Sequence, residues 1–243
     1  MNGTVALVTG GSRGIGAACA LRLAREGADV AITFVDDAAA AASVTGRIEA
    51  LGRRALAVRA DAGGAADAVA AVEETVRGLG RIDVLVNNAG VGVLGPLEGL
   101  ALADVDRVLA VNVRGAFLSA QAAAGRMDRG GRIITIGSCM TQRVPGPGGT
   151  LYAMSKAALT GLTKALSREL GERGITANLV HPGPVDTDMN PAGGPYAAPQ
   201  SALTALGRFG TPAEVAAMVS FLAGPDAAYV TGAEFAVDGG HAA

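Results

Sequence analysis

The feature that most constrains the fold is an alternation, along the whole chain, between short apolar β-branched segments and alanine-rich helical segments. Nearly all of the short segments lack a polar face, as strands do when helices cover both faces of a parallel sheet. The seven segments are Val5–Thr9, Val30–Phe34, Ala55–Arg59, Val84–Asn87, Ile133–Gly137, Thr176–His181 and Glu234–Val237. The sequence therefore predicts an α/β fold with a doubly wound, seven-stranded parallel sheet and helices on both faces.

The length of 243 residues and the hydrophobic fraction of 50% suit one large core. Because no linker or repeat divides the chain, we predict a single domain over residues 1–243. Thr211, Pro212 and Glu214 provide an N-cap, an N1 proline and a capping-box glutamate for a helix that continues through Val215–Ala223. Residues 187–210, rich in proline and glycine, predict a long, partly irregular substrate loop.

Composition disfavours several classes of function. A net charge of -2 offers no basic face to a nucleic acid, and no apolar run approaches the roughly 20 residues that span a bilayer. The chain opens without a leader-like segment, so we expect a cytoplasmic protein. Cys19 and Cys139 lie far apart without a partner pattern, which argues against a disulfide framework and a metal site. We expect both thiols to be buried and apolar, Cys139 on the strand that carries Ser138.

A glycine-rich turn, Thr9–Gly16, follows the first strand and opens a helix. Backbone N–H groups and the helix dipole at such a place can hold a pyrophosphate. The spacing Gly-x-x-x-Gly-x-Gly departs from the common dinucleotide fingerprint, and ordinary strand-to-helix turns also produce it. Nucleotide binding therefore stays open on this motif alone, although a P-loop is excluded because no Gly-Lys-Ser/Thr follows.

Tyr152 and Lys156 lie four positions apart in a helical segment, so both project from one face. A nearby ammonium favours the phenolate and would lower the pKa of the tyrosine toward a useful range for proton transfer. An exposed Tyr-Lys pair is the alternative, but one of only two lysines in the chain holds this position.

Two further polar residues are candidates for the same site. Ser138 ends a predicted strand at the ligand-binding edge of the sheet, where it could bond a substrate oxygen or simply cap a turn. Asn112 lies between two valines within a helix, where a buried amide needs a partner.

Together these segments resemble the short-chain dehydrogenase/reductase superfamily, in order and across the chain. Within it the chain is similar to ketoreductases of the 3-oxoacyl carrier-protein reductase type, including the closing Thr231-Gly232 and Val237–Gly240. The motifs that carry the resemblance are Thr9-Gly10-x-x-x-Gly14-x-Gly16, Asn87–Gly90, Asn112, Ser138, Tyr152-x-x-x-Lys156 and Pro182-Gly183-x-x-x-Thr187.

The resemblance implies a Rossmann-type catalytic domain that transfers hydride between a nicotinamide cofactor and a ketone or secondary alcohol. In that scheme Tyr152 is the general acid/base, Lys156 lowers its pKa and binds the nicotinamide ribose, Ser138 orients the carbonyl, and Asn112 holds a relay water. The glycines 10, 14 and 16 would hold the pyrophosphate, Asp61 would reach the adenine, Asn88–Gly90 would line the adenosine side, and Pro182–Thr187 would hold the nicotinamide end. The implied cofactor-binding set is Gly10, Ser12, Arg13, Gly14, Ile15, Gly16, Phe34, Asp61, Ala62, Asn88, Ala89, Gly90, Tyr152, Lys156, Pro182, Gly183, Val185 and Thr187.

Two features bear on which carbonyl compound and which cofactor are used. The tyrosine follows the serine by one position more than the family commonly has, which alters the rim at Thr141–Thr150. The small, mostly apolar residues there and in 187–210 suggest a neutral carbonyl compound. Phe34 stands where NAD-preferring relatives usually carry an acid, and Arg13 is placed to pair with a 2'-phosphate, so we predict NADP(H). Asp36 or Asp37 keeps NAD(H) as an alternative, with Asp36 expected to lie in the turn that caps the next helix.

Other expectations concern assembly, alternative functions and neighbouring residues. The resemblance implies a homotetramer that pairs the helices around Val105–Ala124 and Ala153–Leu170, with the last strand at a second interface. A nucleotide-binding sensor without turnover is the alternative function.

His181 is expected to have an ordinary backbone partner and no catalytic role. The arginines 126, 129 and 132 are expected to form solvated surface, with an acidic carrier protein as the alternative.

Overall fold

The computed structural model describes residues 1–243 and contains one seven-stranded sheet in the order β3-β2-β1-β4-β5-β6-β7. Every neighbouring pair of strands is parallel, so the predicted doubly wound sheet is confirmed. The strands are β1 Val5–Val8, β2 Asp29–Phe34, β3 Ala55–Arg59, β4 Val84–Asn87, β5 Arg132–Ile136, β6 Thr176–Pro182 and β7 Glu234–Val237. The helices are α1 Gly14–Arg25, α2 Ala38–Glu49, α3 Ala65–Leu79, α4 Leu102–Leu109, α5 Ala116–Arg126, α6 Thr150–Glu169, α7 Ala197–Ala202 and α8 Pro212–Ala223.

Alternate residues of the strands build two hydrophobic layers, one on each face of the sheet. In β1, Ala6 and Val8 belong to the layer that packs on α1, α2 and α8. Val5 and Leu7 belong to the layer on α3 and α5. Each fully buried aliphatic side chain of this kind contributes about 1.5–3 kcal/mol to folding, so the strand segments without a polar face are held in the centre of the molecule.

The start of α8 forms as the sequence predicts. Thr211 Oγ1 accepts a hydrogen bond from the Glu214 N–H, and the Glu214 carboxylate accepts one from the Thr211 N–H at 2.7 Å, with Pro212 in the first turn. The preceding segment 187–210 is mostly irregular but contains the six-residue α7. No helix of the structure has both the length and the apolar character to span a membrane.

Two local expectations are wrong. Cys139 is buried, but it opens a 3-10 turn, Cys139–Thr141, because β5 already ends at Ile136. Arg132 is not solvated surface: it begins β5 and is buried, donating to the Gly130 carbonyl at the end of the preceding turn. Of the other two arginines, Arg126 pairs with Glu73, and Arg129 donates to a backbone carbonyl.

Candidate active site

The strand order places a candidate site at the carboxyl edge of the sheet. Chain progression reverses between β1 and β4, since β1 leads outward to β2 and β3 whereas β4 leads to β5, β6 and β7. In doubly wound sheets such a switch point leaves a crevice outside the strand ends. The glycine turn, Asn88, Ser138 and Pro182 follow the ends of β1, β4, β5 and β6, and so lie along this one edge.

The turn after β1 is built so that backbone can approach backbone. Gly10 and Gly14 have φ values of 62° and 54°, in the left-handed region that favours glycine. A Cβ on Gly16 would lie 2.3 Å from the Gly10 carbonyl oxygen, which no side chain could tolerate. No side chain caps the start of α1 and its first turn holds no acidic residue, so the first N–H groups of the helix are available to an anion. Ser12 and Ile15, in the same turn, are half-buried.

Asn88 stabilises the glycine turn through hydrogen bonds. Its Nδ2 donates to the carbonyl oxygens of Thr9 and Gly10 at 2.9 and 3.1 Å. Thr9 Oγ1 in turn accepts from the backbone N–H groups of Asn88 and Ala89 at 3.0 Å. The amide of Asn88 is therefore engaged with the protein, and its predicted contact to the adenosine side stays a prediction.

Asn112 lies in a π-helical segment, Ala110–Gly115, inserted between α4 and α5. Its side chain is buried and makes three hydrogen bonds: Oδ1 accepts from the Val91 N–H, and Nδ2 donates to the Val91 carbonyl and to Ser155 Oγ. Asn112 thus joins the loop after β4 to α6. The extra residue of the π-turn re-aims side chains without ending the helix. Whether Asn112 also holds a relay water stays a prediction.

Ser138, Tyr152 and Lys156 meet at the end of β5. Ser138 is buried, and its Oγ accepts from the Met140 N–H at 3.2 Å. Tyr152 is half-buried in the first turn of α6, with Gly92 nearby, where an added Cβ would lie 3.7 Å from the tyrosine ring. Lys156 is buried one turn further along α6, with Nζ donating to the Ile136 carbonyl at 2.9 Å. The predicted common helical face is confirmed.

The electrostatics of this group differ from the expectation. Burial raises the pKa of Tyr152, with hydrogen bonding to Ser138 acting in the opposite direction. Burial also lowers the pKa of Lys156 to about 8. Lys156 Nζ lies 5.9 Å from the centre of the tyrosine ring, yet the desolvation of Tyr152 outweighs any lowering of its pKa by the ammonium.

Residues predicted to meet the nicotinamide end lie after β6. Thr187 lies near Gly14, where an added Cβ would lie 3.4 Å from Thr187 Cγ2. Val185 is buried and pairs with Gly210, which closes the base of the 187–210 segment. Gly183 approaches Asp238, where a Cβ would lie 2.6 Å from the aspartate Cα. Thr187 therefore brings the loop after β6 next to the glycine turn.

At the other end, the residues expected around the adenosine are partly engaged with the protein. Asp61 accepts from Arg107 at 2.8 Å, which lowers its pKa, and Ala62 packs its carbonyl against Gly115 in the π-helical segment. Phe34 ends β2 and packs on the core, so no carboxylate stands at that position.

The acids beyond β2 differ in their contacts. Asp37, and not Asp36, caps α2, accepting from the Ala40 N–H at 2.8 Å, while Asp36 is exposed. Arg13 is exposed at the N-cap of α1 and its guanidinium contacts no acid. One further cation was missed: Arg59 ends β3 beside Phe34 and donates to the Val35 carbonyl. An arginine at the end of an edge strand carries no distinguishing signal in the sequence.

Comparison with known proteins gives a consistent result. A family model described as enoyl-(acyl carrier protein) reductase matches residues 10–242. The 3-oxoacyl-[acyl-carrier-protein] reductase of Synechocystis sp. PCC 6803 is 41% identical over 239 residues, covering 97% of this chain and 96% of that protein. The cyclic-di-GMP-binding biofilm dispersal mediator protein of Escherichia coli K12 is 44% identical over 240 residues, covering 98% and 96%.

Among solved structures, a short chain dehydrogenase from Burkholderia cenocepacia J2315 in complex with NADP superposes with a TM-score of 0.99 at 50% identity. The match covers 100% of this chain and 99% of that one. The Rossmann-type single domain predicted from the sequence is therefore confirmed at the level of the whole fold.

Proposed function

The chain belongs to the short-chain dehydrogenase/reductase family, and we propose that it is an NADPH-dependent reductase of small, neutral ketones and aldehydes that also runs in reverse as an alcohol dehydrogenase. As a member of this family it is an NAD(P)-dependent oxidoreductase. The observation that carries the proposal is the convergence of Ser138, Tyr152 and Lys156 beside a glycine turn with close backbone approach.

The residues present fit a dinucleotide. The glycine turn has no room for a side chain at Gly16, and the first turn of α1 contains no acidic residue and no side-chain cap. Lys156 Nζ donates one hydrogen bond within the protein, to Ile136, which leaves donors for ribose hydroxyls. Gly90 adjoins this ammonium, since a Cβ there would lie 3.2 Å from Nζ. When bound, the reduced nicotinamide supplies a hydride to the carbonyl carbon.

Ser138 and Tyr152 then bind and protonate the oxygen of the substrate. Ser138 Oγ donates a hydrogen bond to the carbonyl oxygen and orients it, and Tyr152 gives its proton to the oxygen as negative charge develops. A raised tyrosine pKa keeps that proton in place at neutral pH. The protonated tyrosine is the form that reduction requires, since it acts there as the general acid. Lys156 holds the ribose and adds positive charge, while Asn112 keeps the loop at Val91 fixed against α6.

The surroundings support a neutral substrate. The segments that follow β4, β5 and β6 expose a set of large apolar side chains. These are Leu94, Leu97, Val144, Met189, Tyr196 and Leu206. Residues 91–101, 139–150 and 187–206 contain a single basic residue, Arg143, whose guanidinium donates to the His241 carbonyl. Arg143 is thus the one cation that these segments offer to an anionic carrier protein or a nucleotide thioester, which favours a neutral substrate.

NADPH is the preferred cofactor in this proposal. The free guanidinium of Arg13 suits a 2'-phosphate, Phe34 replaces the usual acid, and the Burkholderia relative was solved with NADP. An NAD(H)-preferring enzyme is the alternative that Asp36 would support. The cytoplasmic location and the homotetramer also remain predictions. The helices that would pair expose small residues on α6, Ala157, Ala158 and Gly161, and a large one on α5, Phe117.

The test is Tyr152→Phe, assayed by NADPH oxidation with β-ketoesters, cyclic ketones, quinones and acyl thioesters. General acid catalysis typically contributes about 10²–10⁴-fold, so we expect kcat to fall at least roughly a hundredfold while the Kd for NADPH stays near its wild-type value. Tyr229→Phe, at an exposed tyrosine, is the matched control. Wild-type turnover in Tyr152→Phe would overturn the mechanism.

A second candidate is a nucleotide-binding sensor, favoured by the name of the E. coli relative. A sensor would bind NADPH or a cyclic dinucleotide without consuming NADPH. Steady NADPH oxidation with any carbonyl compound of the panel excludes this alternative.

A further inference from the structure

A chain of hydrogen-bonded side chains runs behind the site from α6 through β7 and β6 to Ser138. His181 on β6 is fully buried; its Nδ1 lies 3.2 Å from the backbone nitrogen of Ser138, and its Nε2 lies 3.0 Å from Glu234 Oε2. Glu234, on β7, also accepts from Thr160 Oγ1 at 2.9 Å and pairs with Lys164 Nζ at 3.1 Å. None of these side chains except Ser138 has a role in the proposed chemistry.

The contacts of His181 fix its protonation. The backbone N–H of Ser138 can only donate, so Nδ1 accepts and carries no proton. The proton is then on Nε2, where it is donated to the Glu234 carboxylate. The backbone partner expected for His181 is thus confirmed on one nitrogen, while the other bonds a carboxylate that lies 53 positions away in the sequence.

His181 lies directly against the backbone that leads into Ser138. A Cβ on Gly137 would lie 2.6 Å from His181 Nδ1, so glycine is required for the ring to reach the next N–H group. Thr141 Oγ1 donates to the Ser138 carbonyl at 2.9 Å and lies 3.3 Å from the same ring nitrogen. Both backbone polar groups of Ser138 are therefore held by side chains.

Glu234 connects this turn to the helix that carries the tyrosine. Tyr152, Lys156, Thr160 and Lys164 follow one another at intervals of four along α6, so they lie near one face. Glu234 binds the last two of these residues and also His181. One carboxylate therefore anchors both α6 and, through His181, the turn of Ser138.

We propose that His181 and Glu234 are positioning residues of the carbonyl reduction, which hold Ser138 in register with Tyr152. The proposal rests on the proposed function, in which these two hydroxyls bind the same substrate oxygen. A misplacement of about 1 Å in such a pair can cost about a hundredfold in rate. This pair acts only through the position of Ser138, since neither His181 nor Glu234 is placed to touch the substrate.

Three substitutions of His181 separate positioning from simple stability. His181→Asn keeps an acceptor near the place of Nδ1, His181→Gln keeps a donor toward Glu234, and His181→Leu keeps neither. We expect kcat to fall about tenfold to a hundredfold in the leucine and glutamine variants, with the asparagine variant recovering most of the loss. KM for NADPH should stay within about twofold, since the pyrophosphate cradle is untouched. We expect Glu234→Gln to be intermediate, and Lys164→Met, at an exposed ammonium, to change kcat by less than about threefold.

The matched control lies on the same strand. Asn178 is buried on β6, donates to the Val230 carbonyl and accepts from the Ala233 N–H, but makes no contact with the site. Asn178→Ala should lower Tm and leave kcat near the wild-type value. Each variant is measured for Tm, for the Kd of NADPH by fluorescence, and for kcat and KM with the best ketone of the panel.

The outcomes are distinct. A folded His181→Leu variant with kcat within twofold of wild type overturns the positioning role, as does a loss of kcat that tracks Tm equally in all three His181 variants and in Asn178→Ala. A wild-type protein that binds NADPH but reduces no carbonyl compound overturns the proposed function and this proposal with it.

Discussion

Arg13 offers the sharpest test of cofactor choice, because its side chain is free. It occupies the N-cap of α1 in an extended conformation, with φ of -153° and ψ of 173°, and its guanidinium makes no ion pair within the chain. Arg13→Ala therefore breaks no hydrogen bond or ion pair within the protein. Any effect of the substitution should appear in cofactor binding and not in Tm.

The size of the effect follows from the exposure of the site. Hydrogen bonds to charged groups contribute about 1.5–3 kcal/mol, and the solvent around Arg13 places the expectation at the lower end. A loss of about 1.4 kcal/mol is tenfold in an equilibrium constant. Arg59, tethered to the Val35 carbonyl beside the end of β2, leaves a second cation in the variant. We expect kcat/KM with NADPH to fall roughly tenfold and kcat/KM with NADH to change by less than about twofold.

The assay compares both cofactors at two ionic strengths. Screening should weaken NADPH use by the wild type as salt rises, and Arg13→Ala should show a smaller salt dependence. Arg25→Ala, at an exposed arginine in the last turn of α1, is the control and should leave the NADPH/NADH ratio unchanged. A wild-type preference for NADH, or unchanged NADPH use in Arg13→Ala, would mean that Asp36 or Asp37 governs the pocket.

Two predictions concern stability. The pKa of Lys156 is lowered from 10.5 to about 8. Between these values the unfolded lysine binds a proton that the folded one lacks, so the contribution of Lys156 to stability rises with pH. The rise is up to roughly 3 kcal/mol, at about 1.4 kcal/mol per pKa unit. The raised pKa values of Cys19, Cys139 and Tyr152 act in the opposite direction over the same pH range, so the lysine is isolated by comparing wild type with Lys156→Met. The difference in their free energies of urea unfolding should grow from pH 7.5 to pH 10, and parallel curves would contradict this. Thr211→Ala should cost about 1 kcal/mol of stability because it removes the cap of α8, and it should lower Tm by about 2–4 °C. Thr211→Ser should keep most of the cap. Equal Tm values for wild type and Thr211→Ala in calorimetry would refute this prediction.

The sequence by itself determined the features that depend on neighbouring residues. The strands lack a polar face because both faces of the sheet are covered, and this pattern was sufficient to predict all seven strands to within one residue at either end. The capping box at Thr211 is complete within four residues, so its hydrogen bonds follow from the local sequence. The four-residue spacing of Tyr152 and Lys156 likewise places both on one helical face without tertiary information.

Only the tertiary structure determined which side chains of these elements contact one another and how their pKa values are shifted. His181 meets Ser138 and Glu234 across 43 and 53 positions, and Asn112 meets Ser155 across 43. No periodicity encodes such pairs, because their geometry depends on how strands and helices pack. The pKa values show the same limit: the spacing suggested that the ammonium would dominate Tyr152, but burial raises the tyrosine pKa. Desolvation depends on every atom that excludes water from the hydroxyl, and those atoms come from separate segments that only the folded chain brings together.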